Sequence, residues 1–325
     1  MKKPLKKGFM LGGYIENGGI GAIPHNFAHD IKRNKIAYIC LVFILAYFII
    51  FNYFPMAGIL MAFERFSPAK GFFGSKWIGM QNFVTFFTGP YVFRLIRNTV
   101  AISVLDLVIN FPAPIIFALI LNEIHQKHFK KVIQTVSYMP YFISAVVACG
   151  IVANFCQAGG VVSELVAKIT GNPNSINLLS DKRAFWLIYV LMNMWQGLGY
   201  GSIIYLSALT AIDQELYEAA EIDGAGKWKQ MLHITLPSLL PMISMMLILR
   251  MGAIFNVGTD KILLLYQPAT YEVSDVIGTY VYRVGMQEAD YGLSTAVGLF
   301  NSIIGTIMLL TTNKLSRKFS GNSLF

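Results

Sequence analysis

Apolar residues in this chain neither alternate nor keep to one helical face; they fill whole windows of the roughly 20 residues needed to cross a bilayer. Six such windows lie between charged or Gly/Pro-rich breaks. The first follows Lys35 (IAYICLVFILAYFIIFNYFPMAGIL). The second is AISVLDLVINFPAPIIFALIL, the third VIQTVSYMPYFISAVVACGIVANFC and the fourth FWLIYVLMNMWQGLGYGSIIYLSAL. The fifth begins at Pro237 and passes Arg250, and the sixth runs from about Tyr291 to Leu310. Backbone groups cannot stay unpaired in hydrocarbon, so these windows predict helices. A membrane barrel would need repeated alternating segments of about 10 residues, which are absent. The expected fold is all-α, integral to the membrane, with six transmembrane helices.

Composition agrees. The chain has 325 residues, 55% of them hydrophobic and 13% charged, against about 25% charged in soluble domains. The first 35 residues are polar, Gly-rich and basic, with no apolar signal-peptide region, so the first helix is expected to be a retained anchor. Domains then read as a cytoplasmic basic tail over 1–35, a transmembrane domain over 36–313 and a cytoplasmic tail over 314–325. Lys2, Lys3, Lys6, Lys7, Lys32, Arg33 and Lys35 precede the first span. Lys127, Lys130 and Lys131 follow the second, Lys227 and Lys229 the fourth, and Lys314, Arg317 and Lys318 the sixth. Basic residues are retained on the cytoplasmic side, so both termini are expected there. Arg94 and Arg97 sit on the opposite side and weaken the bias. The net charge of +9 clusters at membrane flanks without a nucleic-acid signature, so no nucleic-acid partner is expected. Cys40, Cys149 and Cys156 fall in apolar spans without CxxC spacing and read as buried, inert thiols rather than metal ligands.

One polar stretch stands apart, AIDQELYEAAEIDGAGKWKQMLHITLPSLLP, between the fourth and fifth spans. Asp213 can cap a helix through Glu221, with acids in its first turn opposing the positive end of the dipole. Gly224 supplies a turn that a Cβ would hinder. A second short helix, from about Lys227 to His233, leads to Leu236 and Pro237, a residue suited to the first turn of the fifth span. The product is a hairpin over 213–237 projecting into the cytoplasm. Gly224-Ala225-Gly226-Lys227 is no phosphate loop, since Glu221 and Trp228 occupy the places of the required Gly and Ser/Thr.

Glu218-Ala219-Ala220, Gly224 and Ile234-Thr235-Leu236-Pro237 reproduce the spacing of the EAA signature. The chain thereby resembles permease subunits of binding-protein-dependent (type I) ABC importers. Further segments are similar to the carbohydrate branch: Trp77-Ile78-Gly79-Met80-Gln81-Asn82-Phe83, Arg97-Asn98-Thr99, the run from Leu263 to Met286, and the run from Asp290 to Lys318. The last two resemble most the permeases for polysaccharides and complex oligosaccharides, which include the alginate importer. The resemblance implies a coupling hairpin lying in a groove on an ATPase. Glu218 would offer a carboxylate, Ala219 and Ala220 close approach, and Gly224 the bend, while Leu236 and Pro237 would fix the hairpin to the moving helix. It also implies a second, related permease, two ATPase subunits that bind the ATP and magnesium, and an external solute-binding protein or lipoprotein, all at a bacterial inner membrane. This chain itself would bind no cofactor and do no covalent chemistry.

Polar groups inside spans are costly and mark a transport path. Asn193, Trp195, Gln196 and Tyr200 on the fourth span, Asn256 on the fifth and Asn301 on the sixth suit sugar hydroxyls and rings. Trp195 and Tyr200 read equally as interfacial or packing residues. Asp106 and Arg250 are the charges placed well within spans, as an ion pair or as solvated pore contacts. Gly197, Gly199 and Gly201, and likewise Gly292, Ala296 and Gly298, read as close-packing positions. A permease for a non-sugar solute is the alternative. A proton-coupled secondary transporter would need intramembrane titratable pairs and repeated halves. A membrane enzyme would need clustered catalytic groups, whereas His25, His29, His125, His128 and His233 are scattered.

Overall fold

The computed structural model describes residue 31, residues 33–171 and residues 177–320. Most of the basic N-terminal tail, with Lys2, Lys3, Lys6, Lys7, Lys32, His25 and His29, lies outside the described residues. The chain divides into two compact units, Met1–Gly58 and Ile59–Phe325.

The apolar run after Lys35 forms a helix, α1, that begins in the first unit and continues in helical turns to Phe63, within the second. None of its residues from Lys35 to Tyr53 is buried. Cys40 is accordingly exposed, contrary to the buried thiol expected, whereas Cys149 and Cys156 are buried.

In the second unit the end of α1 is followed by a two-residue antiparallel pair, β1 (Glu64–Arg65) and β2 (Lys76–Trp77), registered Glu64 to Trp77. The WIGMQNF segment builds this corner. Gly79 takes a positive φ of 61°, Phe63 stacks on Trp77 at 5.6 Å, and Asn82 Nδ2 donates to the carbonyls of Ala62 and Glu64 at 2.9 and 3.1 Å. There follow α2 (Gln81–Phe87), α3 (Val92–Asn110) and α4 (Pro112–Asn122). Pro112 lacks an N–H, but Phe111 stays helical at φ −81° and ψ −49°, so the second span is one jointed run.

The third span is not the one expected. Residues 132–156 split into α5 (Lys127–Tyr138), a tight turn at Met139–Phe142 and α6 (Ala145–Cys156). Pro140 cannot continue the ladder, and Ser144 starts a new helix, its Oγ accepting from Val147 N–H at 3.3 Å. α7 (Val161–Thr170) follows, and the long apolar helical run is Ala145–Thr170.

α8 (Phe185–Leu209) coincides with the fourth expected span. Next come α9 (Gln214–Ile222), α10 (Lys227–Gly252), α11 (Thr259–Leu265), α12 (Ile277–Tyr282) and α13 (Tyr291–Ser320). Five described runs are long and apolar enough to cross a membrane: Lys35–Phe63, Val92–Asn122, Ala145–Thr170, Lys227–Gly252 and Tyr291–Lys318. α8 supplies the length for a sixth at 25 residues, but its amides and glycines dilute its apolarity.

α8 lies at the centre of the second unit, packing on α3, α4, α5 and α10. Its Phe185, Tyr189 and Val190 join Ile102, Ile262 and Val276 in one buried cluster. Tyr205 and Leu209 join Ile115 and Leu239 in another. A Cβ at Gly199 would sit 2.1 Å from the Ser137 carbonyl oxygen, and one at Gly201 3.2 Å from Pro114. Gly197 and Gly298 meet nothing within 4 Å, so neither is a packing position in this chain. Gly292 presses on the backbone of Met61 and Glu64, and Ala296 is fully buried beside Ala62 and Phe83. Outward faces stay apolar, as at Phe93 (79% exposed) and Ile169 (84%), a surface suited to hydrocarbon and not to water.

Candidate functional site

A cavity of about 650 Å³ opens between α3, α4, α8, α10 and the segment Ala253–Lys261. Its floor is a chain of polar groups. Asp106 of α3 forms an ion pair with Arg250 of α10. Asn110 Nδ2, one turn further along α3, donates to Asp106 Oδ1 at 2.7 Å. Asn193 Nδ2 of α8 donates to the same oxygen at 3.4 Å, and Asn193 Oδ1 accepts from Lys261 Nζ at 2.8 Å. Tyr200 lines the cavity and stacks on Tyr141 at 3.8 Å with the rings 6° from parallel.

Asn193, Tyr200, Asn256, Asp106 and Arg250 thus converge on one cavity. Trp195 lies two residues past Asn193, about 200° round the helix, and is 39% exposed on another face. Gln196 is buried, its Nε2 donating to the Ile143 carbonyl at 3.2 Å, so it braces the bend before α6. Asn301 lies on α13 away from the cavity, with its Oδ1 buried and unpaired. Sequence reasoning missed Lys261, Asn110, Ser103 and Tyr189, all lining residues. Lys261 sits in TDKILLL, outside the expected spans; a lysine heading a short apolar run was the available signal.

Two segments singled out separately in the sequence are one unit in space. Asp275, 1% exposed, takes ion pairs from Arg94 at 2.9 Å and Arg283 at 3.0 Å. Thr279 Oγ1 donates to it at 2.7 Å. Asn98 Nδ2 donates to the carbonyls of Glu272 and Asp275, Arg97 Nη2 to that of Glu272, and the Ile277 N–H to Thr99 Oγ1. Arg97-Asn98-Thr99 therefore clamps the Tyr271–Tyr282 region onto the start of α3. Glu272 also pairs with Lys182, whose hydrogen bond holds its carboxyl below the usual carboxylate range.

The hairpin forms as its residues dictate. Asp213 caps α9, its carboxylate accepting from Glu215 N–H at 3.0 Å. At the far end Gly224 adopts φ +74°. The Ala225 N–H donates back to Ala220 O at 2.9 Å and the Gly224 N–H to Glu221 O at 3.0 Å, the paired bonds of a Schellman ending. Lys227 Nζ reaches Glu221 Oε1 at 3.0 Å and keeps that carboxyl below the usual range. Gln230 Nε2 donates to Ala225 O at 3.0 Å, and the Tyr217 and Thr235 hydroxyls share a hydrogen bond of 2.9 Å. The second short helix, expected to lead to Leu236 and Pro237, is continuous with the fifth span as the first turns of α10. α10 passes through a wider turn at Met231–Thr235, the Leu236 N–H reaching Met231 O. Pro237, one residue later, has no N–H to donate, and the helix nonetheless continues through it. Glu218 and Ala219 are exposed, as are Ile222 (87%) and Trp228 (76%), which leaves the hairpin tip bare and partly apolar.

A helical unit with apolar outer faces, an internal polar cavity and an exposed polar hairpin has the make-up of a transport permease. The comparisons agree: residues 110–321 match the family described as binding-protein-dependent transport system inner membrane component, and the chain belongs to that family. It is 42% identical to Protein LplB of Bacillus subtilis (strain 168), over 91% of this chain and 92% of that one. It is 38% identical to the polygalacturonan/rhamnogalacturonan transport system permease protein YteP of the same organism, over 90% and 91%. The crystal structure of a bacterial alginate ABC transporter, in complex with an alginate pentasaccharide-bound periplasmic protein, contains a chain that superposes with a TM-score of 0.83. That chain is 39% identical, and the match covers 91% of this chain and 99% of that one. The chain is therefore the multi-pass membrane subunit of an ABC importer, and ATP hydrolysis belongs to a separate subunit.

Proposed function

We propose that this chain is the permease through which an ATP-driven importer moves an oligosaccharide, or a polysaccharide fragment, delivered by an external solute-binding protein. It works beside a second, related permease and two ATPase subunits, which bind the ATP and magnesium, and both of its termini face the cytoplasm. Asn193, Tyr200 and Asn256 contact the passing sugar, amides and phenol pairing with hydroxyls and the ring stacking on an apolar sugar face. Glu218, Ala219, Ala220 and Gly224 dock the hairpin on the ATPase, and Leu236 and Pro237 join it to α10.

The observation that carries this reading is α10 itself. Trp228 at its exposed foot and Arg250 in the cavity belong to one helical run, about 33 Å apart at 1.5 Å per residue. Any movement imposed on the hairpin is delivered to the cavity wall without an intervening loop. Closure of the ATPase subunits would thus tilt α10, part the Asp106–Arg250 pair and open the cavity to one side.

The test is ATPase activity of the reconstituted complex with binding protein loaded with candidate oligosaccharides, comparing wild type with Gly224→Asp. Stimulation by a loaded saccharide that vanishes in the variant, with membrane insertion intact, is the expected result. Normal uptake by Gly224→Asp removes the hairpin from the mechanism. Substrate movement driven by a proton gradient without ATP hydrolysis overturns the reading altogether.

A further inference from the structure

We infer that Tyr217 and Thr235 are positioning residues, whose hydrogen bond fastens α9 to α10 so that the hairpin and the long helix move as one body. This deepens the coupling reading above and rests on it.

A hairpin passes on a displacement only if its two arms keep their angle. The joint between these arms is built to bend: Gly224 sits at φ +74°, and a Cβ at Gly224 or Gly226 would meet nothing within 4 Å. Burial does not stiffen it, since none of the residues of α9 is buried. Pulled at Glu218, Ala219 or Ile222, an unbraced α9 would swing about the glycines and leave α10 where it stands.

Among the described residues two side-chain bonds join α9 to α10. One is the Glu221–Lys227 ion pair, whose side chains are 56% and 61% exposed, so solvent weakens it. Glu221 is also close to the bend, about 5 Å from Gly224 along the helix. The other is the bond of 2.9 Å between Tyr217 Oη and Thr235 Oγ1. Tyr217 lies about 10 Å from Gly224 along α9 and so holds the arm at roughly twice the leverage. Its partner is fixed in place. Thr235 is 5% exposed, and its Oγ1 also reaches the Gln230 carbonyl at 3.5 Å. Gln230, itself buried, donates to Ala225 O beside the bend. The Lys227 ammonium acts electrostatically on the Tyr217 hydroxyl and on Glu123, at the end of α4. α9 does not need this phenol in order to form, because Asp213 caps it and Gly224 ends it. What the bond sets is the angle between the arms.

The experiment reads transmission to the cavity without any saccharide. It uses the complete transporter with hydrolysis-blocked ATPase subunits, Cys40 replaced by Ser, and Cys149 and Cys156 left buried. Ile203→Cys, at a cavity-lining position that is 37% exposed, is labelled by a small methanethiosulfonate with and without ATP. With the native hairpin, ATP should change the labelling rate. Tyr217→Phe removes one oxygen and should shrink that change on the order of fivefold, the weight of one neutral hydrogen bond. The ATP-free rate and copurification of the ATPase should stay as they were. Thr235→Val should act like Tyr217→Phe, Thr235→Ser should restore the response, and the double variant should lose no more than either single one. A full ATP response in Tyr217→Phe, or losses that add in the double variant, overturns the inference. So does loss of ATPase copurification, which would make Tyr217 a docking contact. Gly224→Asp separates the two levels: if that variant also keeps the full response, the hairpin is not the coupling element and the wider reading fails. A rate that ignores ATP with the native hairpin defeats that reading as well, and the inference with it.

Discussion

Two buried carboxylates show how surroundings decide what a residue is for. Asp275 is 1% exposed and takes both Arg94 and Arg283, whose side chains are 30% and 29% exposed. Asp275→Asn strands two guanidiniums, and removing one partner of a buried pair costs about 3–5 kcal/mol; the low end applies here because both arginines keep some solvent. Asp106 faces Arg250, whose side chain is 48% exposed, so Asp106→Asn should cost about 1 kcal/mol or less. Thermal unfolding of the purified permease should rank them in that order, with Asp106→Asn impairing uptake far more than folding. The glycines give a second test. Gly199→Ala drives a methyl into the Ser137 carbonyl and should cost about 1–3 kcal/mol. Gly298→Ala meets open space and should leave stability unchanged by the same assay. Both glycines read alike in the sequence, because what distinguishes them is the backbone across the gap.

Elements carry the next set of consequences. The hairpin's local chemistry was legible: Asp213, Gly224 and the EAA spacing each specify a local backbone geometry, and that geometry formed. The third span was misread because hydropathy counts side chains and ignores punctuation. Pro140 and Ser144 break a run that averages as apolar, and Lys127, Lys130, Lys131 and Gln134 make α5 two-faced. The join of the hairpin to the fifth span was legible at Leu236 and Pro237, but not its continuity, since Pro237 reads as a start while a wider turn carries the helix through it. In the cavity, α8 announced Asn193 and Tyr200, while Lys261 was hidden in a short helix that only tertiary folding brings inward. The hairpin's exposed tip separates partner binding from folding. Ile222→Ala and Trp228→Ala remove side chains that are 87% and 76% exposed, so permease stability should shift by no more than about 0.5 kcal/mol. Copurification of the ATPase subunit should fall sharply. A variant that lost stability while keeping its ATPase would show these residues packing within the permease instead.

For the molecule as a whole, the clamp around Asp275 constrains the path of the chain. It ties the start of α3 to the segment between α10 and α13, so both belong to one membrane face. α10 crosses between that face and the hairpin, which puts the hairpin and the end of α13, with Lys314, Arg317 and Lys318, on the other. Arg94 and Arg97, the residues that blur the positive-inside pattern, are engaged at the clamp by Asp275, Asn98 and the Glu272 carbonyl. With those two accounted for, the remaining basic flanks agree with the proposed orientation, in which the hairpin face lies in the cytoplasm. Cysteine labelling checks this. In a background where Cys40 is replaced by Ser and Cys149 and Cys156 remain buried, Phe73→Cys, at a fully exposed position (101%) in the short helical turn Gly71–Gly74, should react with an impermeant maleimide on intact spheroplasts. Ile222→Cys should react only after the membrane is opened. Labelling of Ile222→Cys from outside would invert the topology and take the ATPase contact away from the hairpin. Labelling of neither site before permeabilisation would place the corner around β1 and β2 inside, against the side of the membrane that the clamp and α10 together require.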